Sequence, residues 1–436
     1  MITCFYALGG MNYKNGVITT CPRQANQLVF AHETIKPSEI FNHKNFKALR
    51  SEMNNDQWPS GCDTCEDMER DGLKSMRQDF VLKNNWFFKK DLLSSKNKEK
   101  AQISLLDCYD ERTHEVDFRG LRHVELRFST ACNFACLHCS KVYSSGWTKK
   151  LKNYEPDQEV ILNDLRQLMG TEHRHGPNDK SEMKLTTDQA IEIVEDLNEN
   201  FPNVEFIDFA GGELLYQKQF FPTLRKLAEH PNAKNMLISF HTNFNADFSV
   251  DELTSVLKPF KESCIIISID AGERTYSYFR HGGRWDKLKQ NIEEFKKIND
   301  FSHVDISCTA SIYQILEIKD LFESFYQLQC DFDASIVQTP TYINPSIIMF
   351  DFEKETLKDF QDTEDFILRN IGPFGKFKAK HWFDYIVNYV KNTKLTYAQY
   401  NRFLIYRKKS DEIWKQDFNN YFQNYQIEDD ELVRVK

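Results

Sequence analysis

The period of the hydrophobic positions changes near residue 121. From there to about residue 345, short β-rich apolar runs alternate with longer stretches in which apolar residues recur every three or four positions. The short runs predict strands at His123–Ser129, Val204–Ala210, Met236–His241, Cys264–Asp270, Val304–Thr309 and Phe332–Gln338. The longer stretches predict helices at Thr187–Asn200, Gln217–His230, Val250–Lys258, Trp285–Asn299 and Ile315–Leu328. Six strands separated by helices form a parallel sheet, so residues 119–350 are expected to fold as an α/β core, closed or partly closed like a barrel. An insertion at about residues 153–180, with His173 and His175 in a loop bounded by Gly176-Pro177, breaks the rhythm.

The flanks read differently. Residues 1–80 are irregular, with turn signals at Gly9-Gly10, Asn15-Gly16 and Ser60-Gly61, and are expected to form a small domain stapled by metal. Residues 81–118 are polar and Lys-rich and read as a linker, and residues 351–436 as an aromatic, charged helical extension.

The chain of 436 residues has room for two or three cores. Its net charge of -9 argues against a protein that lives by neutralising nucleic-acid phosphates. No run approaches the roughly 18–20 apolar residues that span a bilayer, and the start lacks a basic region followed by an apolar stretch. The expectation is a cytoplasmic protein without membrane partners, in which eleven cysteines serve metal ligation rather than disulfides.

Seven of those cysteines fall into two groups. Cys132, Cys136 and Cys139 follow the first strand at C-x3-C-x2-C spacing. A 4Fe–4S cluster is commonly held by four thiolates, so three on one loop leave an iron open to an outside ligand. A zinc site awaiting a distant fourth ligand and three unrelated buried thiols are the competing readings. The loop lies at the C-terminal end of a strand, where α/β barrels place their chemistry. Cys4, Cys21, Cys62 and Cys65 form the second group, which could close an iron–sulfur or zinc site, with Cys108 as a spare ligand. Cys264, Cys308 and Cys330 read as small core residues.

With its three-cysteine motif the sequence resembles the radical S-adenosylmethionine (SAM) superfamily, over roughly residues 120–345. The resemblance implies a partial (β/α)6 barrel, a SAM-binding 4Fe–4S cluster on Cys132, Cys136 and Cys139, and SAM as cosubstrate. Gly211-Gly212-Glu213 resembles the motif that holds the SAM amino group. Thr242-Asn243 resembles the family's step near the cluster, and Ser268 and Asp270 its ribose region. Arg280 is similar to the arginine that pairs with the SAM carboxylate, which suits a guanidinium. His138 and Ile336-Val337 stand where adenine contacts are expected. The N-terminal cysteines resemble a SPASM/twitch auxiliary 4Fe–4S domain, although in relatives that domain usually follows the barrel. The resemblance implies reductive SAM cleavage to a 5′-deoxyadenosyl radical and hydrogen abstraction from a peptide or protein side chain. A small sugar, aminocyclitol or nucleotide is the alternative substrate, and a flavodoxin- or ferredoxin-type protein the electron donor. A non-catalytic iron–sulfur protein on the same scaffold is the rival from another class.

Overall fold

The computed structural model describes residues 4–14, 16–24, 28–31, 33–70, 72, 75–78, 105–139, 143–152, 184–298, 302–338, 340–370 and 373–435. The insertion at 153–180 with His173 and His175, and most of the expected linker, lie outside these residues.

After a short helix, α1 (Phe5–Gly9), the chain forms β1 (Gly10–Lys14), β2 (Val17–Thr19) and β3 (Val29–Phe30), then α2 (Lys44–Asn54) and α3 (Asp63–Arg70). A small hairpin, β4 (Tyr109–Asp110) with β5 (Glu115–Val116), precedes the core. The core strands are β6 (His123–Arg127), β7 (Phe206–Ala210), β8 (Leu237–Thr242), β9 (Glu262–Ser268), β10 (Ser302–Ala310) and β11 (Asp331–Ile336). Between them run α4 (Ser145–Lys152), α5 (Thr187–Asn200), α6 (Phe220–Leu227), α7 (Val250–Leu257), α8 (Trp285–Ile298) and α9 (Ile318–Leu328). The C-terminal part is α10 (Glu353–Asn370), α11 (Pro373–Asn392), α12 (Tyr397–Trp414) and the hairpin β12 (Tyr425–Glu428) with β13 (Glu431–Arg434).

The main sheet has nine strands in the order β11-β10-β9-β8-β7-β6-β1-β2-β3. Strands β6 to β11 are parallel and follow one another without a reversal. Right-handed crossovers that always step the same way put their helices on one face, so the other face is left to curl on itself as the inside of an open barrel. Side-chain alternation agrees. Val124, Leu126, Ile207, Phe209, Ile238, Phe240, Ile265 and Ile267 belong to the large core on the helix side. In register on the opposite face stand Glu125, Asp208, Ser239 and His241, with Asp305 and Asp333 further round. Leu237, Cys264, Ile266 and Phe206 make a separate small apolar cluster on that inner face.

Three expectations change. The N-terminal segment does not stand apart, because β1 pairs parallel with β6 (Gly10 opposite His123) and carries β2 and β3 into the main sheet. Residues 105–118 of the expected linker are packed structure, with Leu105 and Val116 each 1% exposed. The C-terminal extension ends in an antiparallel hairpin rather than in helix. Among the described residues no helix is long and apolar enough to cross a membrane.

Candidate active site

Strand β6 ends at Arg127, and the chain turns over the C-terminal ends of the sheet through the loop that carries Cys132, Cys136 and Cys139. Cys139 N–H donates to the Cys136 carbonyl (3.0 Å) and Phe134 N–H points at the Cys132 sulfur (3.4 Å). Burial pushes the Cys132 and Cys136 thiols up, and Cys136 also feels the charges of Cys139 and Cys132, so the three sulfurs lie within electrostatic reach of one another. Metal binding takes the thiolate form, so a metal here would work against that burial by displacing the thiol protons.

Gly211-Gly212 closes on this loop from β7. Gly212 sits at φ +54, and a Cβ there would stand 2.2 Å from the Ala131 carbonyl oxygen; Gly211, at φ +89, backs onto Ser129. Only glycine lets the two backbones approach so closely. Glu213 N–H donates to Ala131 (2.8 Å), and its carboxylate is 1% exposed at residue level. One carboxylate oxygen accepts from Thr242 Oγ1 (2.5 Å) and Leu215 N–H (3.1 Å), the other from Asn243 N–H (2.5 Å). Burial raises the Glu213 pKa against these donors. The acid therefore ties the ends of β7 and β8 together, and Asn243 Nδ2 reaches on to Asn133 inside the cysteine loop (2.7 Å).

Arg280 and Asp270, expected to meet different parts of SAM, form one buried ion pair. The second Asp270 oxygen accepts from Thr309 N–H (2.7 Å), while His138 Nε2 stands 3.6 Å from the oxygen that pairs with Arg280. Burial opposes the Arg280 charge, but the Asp270 carboxylate holds its pKa above the usual value. The His138 ring stacks on Phe279 at 5.1 Å. Leu137 N–H to Phe279 O (3.0 Å) and Ala135 N–H to His281 O (3.2 Å) clip this segment onto the cysteine loop. Ser268 ends β9 half-buried, and Val337, 6% exposed, donates to the Ala310 carbonyl (2.9 Å) beyond β10.

Two residues that the motifs did not single out complete the centre. Tyr276 is fully buried with no hydrogen bond to its hydroxyl among the described residues, and it lies within electrostatic reach of Arg280, Cys136, Asp270 and Glu213. Arg280 Nε is orphaned in the same way. Buried donors without partners are uncommon in folded proteins, and these two lie within electrostatic reach of each other. Gln217 is the other: its amide spans Ser129 Oγ (2.9 Å), Ala131 O (3.2 Å) and Gly211 O (3.0 Å), locking the glycine turn to the cysteine loop.

The second thiol group occupies the opposite end of the same strands. Arg122 N–H donates to Gly9 O (2.9 Å), the Tyr6 ring meets His123 edge-on at 5.5 Å, and a Cβ on Gly10 would touch the Thr20 carbonyl at 2.5 Å. Cys4 and Cys21 thus flank the beginnings of β1 and β6, whereas Cys132 follows the end of β6. Four residue steps of β6 span about 13 Å. Burial raises Cys4, and pushes Cys21 and Cys62 up to about 12; each also feels the neighbouring thiols, Cys65 included. Cys4 and Cys62 pack on Ala7, Leu49 and Met53. Cys108 packs against Gly120, at the base of the β4–β5 hairpin. Cys264 and Cys308 are core residues, and half-buried Cys330 packs against the core. Among the described residues no three His, Cys, Asp or Glu side chains, in this group or in the Cys132–Cys139 loop, are gathered around one metal-sized centre.

Residues 126–308 match the family model described as the radical SAM superfamily. No curated protein matches the chain. Among solved structures it is similar to anSMEcpe with bound AdoMet (15% identity, TM-score 0.37, covering 57% of this chain and 66% of that one). It is also similar to Streptococcus suis SuiB bound to precursor peptide SuiA (11% identity, TM-score 0.34, 96% and 81% covered), and to TYW1 with a lysine-pyruvate adduct bound (15% identity, TM-score 0.29, 56% and 73%). The match spans just under two thirds of the anSMEcpe chain. The family model begins one residue before the end of β6 and takes in the cysteine loop, the glycine turn and the Arg280 segment, so the likeness to the radical SAM superfamily lies in residues 126–308.

Proposed function

We propose that Cys132, Cys136 and Cys139 hold a 4Fe–4S cluster whose open iron takes SAM, and that the enzyme abstracts hydrogen from a peptide or protein side chain. The observation that carries this reading is the Gly212 cradle closed on Ala131 of the cysteine loop, with the unpartnered donors of Tyr276 and Arg280 buried within electrostatic reach of Cys136 and Glu213. When bound, the cluster and SAM supply reductive cleavage of a carbon–sulfur bond to give methionine and a 5′-deoxyadenosyl radical.

The chain's own residues bind, orient and exclude water. Glu213 presents a carboxylate toward the SAM ammonium while Thr242 and Asn243 hold it in place. Arg280 offers its free Nε–H to the SAM carboxylate, with Asp270 fixing the guanidinium from behind. Tyr276 donates its hydroxyl proton to the same ligand. Ser268 and Asp270 serve the ribose, and His138 and Val337 border the adenine. The polar inner face of β6 to β11 receives the substrate.

A peptide substrate rests on the resemblance to peptide-modifying SPASM/twitch relatives. The four N-terminal thiols, which sense one another's charge, would hold an auxiliary 4Fe–4S cluster, and with four cysteines such a site would be full, suited to electron transfer or structure rather than substrate ligation. The test is anaerobic turnover of the reconstituted protein with SAM and dithionite. 5′-Deoxyadenosine forms in the wild type and not in Cys132→Ala; product that survives this change refutes the site.

A further inference from the structure

The outer side of the cysteine loop carries a feature that the SAM site does not use. Trp147, 1% exposed, donates its Nε1–H to the Cys136 carbonyl at 3.0 Å. Its ring meets Trp414 edge-on at 5.4 Å, and Trp414 in turn lies 3.8 Å from the His281 ring. Over the Trp414 face stands the Lys150 ammonium, 4.5 Å from the ring centre. Lys149, one residue before it, is exposed and lies 5.8 Å from the ring of Tyr216, itself 49% exposed. Lys415, at the end of α12, is exposed as well.

Among the described residues none of these three lysines makes an ion pair, unlike Lys226 with Glu195 and Lys408 with Asp430. Exposed Glu412 and Asp417 flank Lys415 in sequence without pairing to it. Two groups register the local positive field. Lys150 is lowered by burial and by Lys415, and His281 is lowered to about 4 by burial and by Lys150. A cationic face therefore stands on a chain of net charge -9, one indole pair away from a residue of the cysteine loop.

We infer that Lys149, Lys150 and Lys415, around the Trp414–Trp147 pair, form the docking face for a small acidic electron-carrier protein that reduces the cluster. Two proteins of like net charge repel at long range, and a local patch of the opposite sign orients the encounter. Three lysines are too few for the affinity that phosphate-backbone binding requires, whereas an electron carrier needs only a brief, oriented contact near the redox group. In the contact one electron leaves the carrier's reduced flavin or iron–sulfur centre and enters the cluster held by Cys132, Cys136 and Cys139; no atom or proton changes hands. The inference rests on the cluster reading given above and adds where the electron enters.

The test uses the anaerobically reconstituted full chain, a flavodoxin as the acidic carrier, and the Lys149→Glu, Lys150→Glu, Lys415→Glu triple variant. With flavodoxin hydroquinone as reductant, 5′-deoxyadenosine formation falls at least about tenfold in the variant, and flavodoxin binding measured by calorimetry weakens by at least about tenfold, in the range that charge steering covers. The wild-type rate falls as salt rises from about 50 to about 300 mM, and the variant's does not. With dithionite the two proteins match. Unchanged flavodoxin rates or binding in the variant, equal loss with both reductants, or a patch that prefers nucleic acid over flavodoxin overturns the docking face. Absence of 5′-deoxyadenosine in the wild type with dithionite would instead remove the cluster reading, and the calorimetry still decides the docking face.

Discussion

The hydroxyl of Tyr406, in α12, donates a hydrogen bond to the carbonyl of Leu137 in the middle of the three-cysteine loop. Both residues are buried, and 269 positions separate them in sequence. Together with Trp147 on the Cys136 carbonyl, this contact makes the C-terminal extension part of the wall that holds the loop. Tyr406→Phe leaves the Leu137 carbonyl without that donor and costs about 1–3 kcal/mol. The expected result is a lower melting temperature and faster loss of iron in air, with the secondary structure seen by circular dichroism unchanged; wild-type iron retention counts against the contact as a support of the loop.

Gly212 gives a sharper steric prediction. Its φ of +54 and the 2.2 Å approach to Ala131 O leave no room for a methyl group. Gly212→Ala must push the cysteine loop away or twist out of the left-handed region, so SAM affinity measured by calorimetry is expected to fall more than about tenfold. Gly72, at φ +74 with nothing near its Cβ position, is the control: alanine there carries backbone strain alone and leaves SAM affinity unchanged.

Asp411 predicts a pH dependence. Its carboxylate takes Tyr278 OH (2.8 Å) and Arg407 (2.9 Å), yet burial outweighs them and raises it to about 6 from the usual 3.8. A carboxyl whose pKa is raised on folding binds its proton more tightly in the native state. The stability this contributes is present in full below about pH 4 and is lost as pH rises through about 6, a change of about 3 kcal/mol. Scanning calorimetry of wild type against Asp411→Asn should show the difference in melting temperature shifting across that window; a difference that is flat from pH 4 to pH 7 contradicts the assignment.

The N-terminal thiols predict a metal count. Reconstituted wild type should hold about eight irons from two four-iron clusters, and Cys62→Ala with Cys65→Ala about four. About four irons and one zinc in the wild type would replace the auxiliary cluster with a zinc staple and leave the first cluster standing.

Much of the core was legible because each strand buries one face against helices and leaves its mark in the apolar runs. The six expected core strands fall within two residues of those observed at either end, and the helix at Thr187–Asn200 has the expected limits. The N-terminal strands were not placed, since the short β1–β2 hairpin gives no local sign of the distant strand it will join, here β6. The glycine turn and the cysteine loop could be read from spacing. Tyr276, Gln217 and Tyr406 could not, because nothing in their neighbouring residues sets them apart, and their roles come from contacts made across the fold. The union of Asp270 with Arg280 was missed for the same reason: each was read as a separate ligand contact, and burial of both in one place made them partners.

The most direct measurement of the central claim is electron paramagnetic resonance on the reduced Cys62→Ala, Cys65→Ala protein, which keeps only the cluster on Cys132, Cys136 and Cys139. Adding SAM should shift that cluster's signal, and SAM carrying 15N in its amino group should give a resolved nitrogen coupling to the iron. A signal that SAM leaves unchanged, with no coupling from the label, would contradict an open iron at this loop.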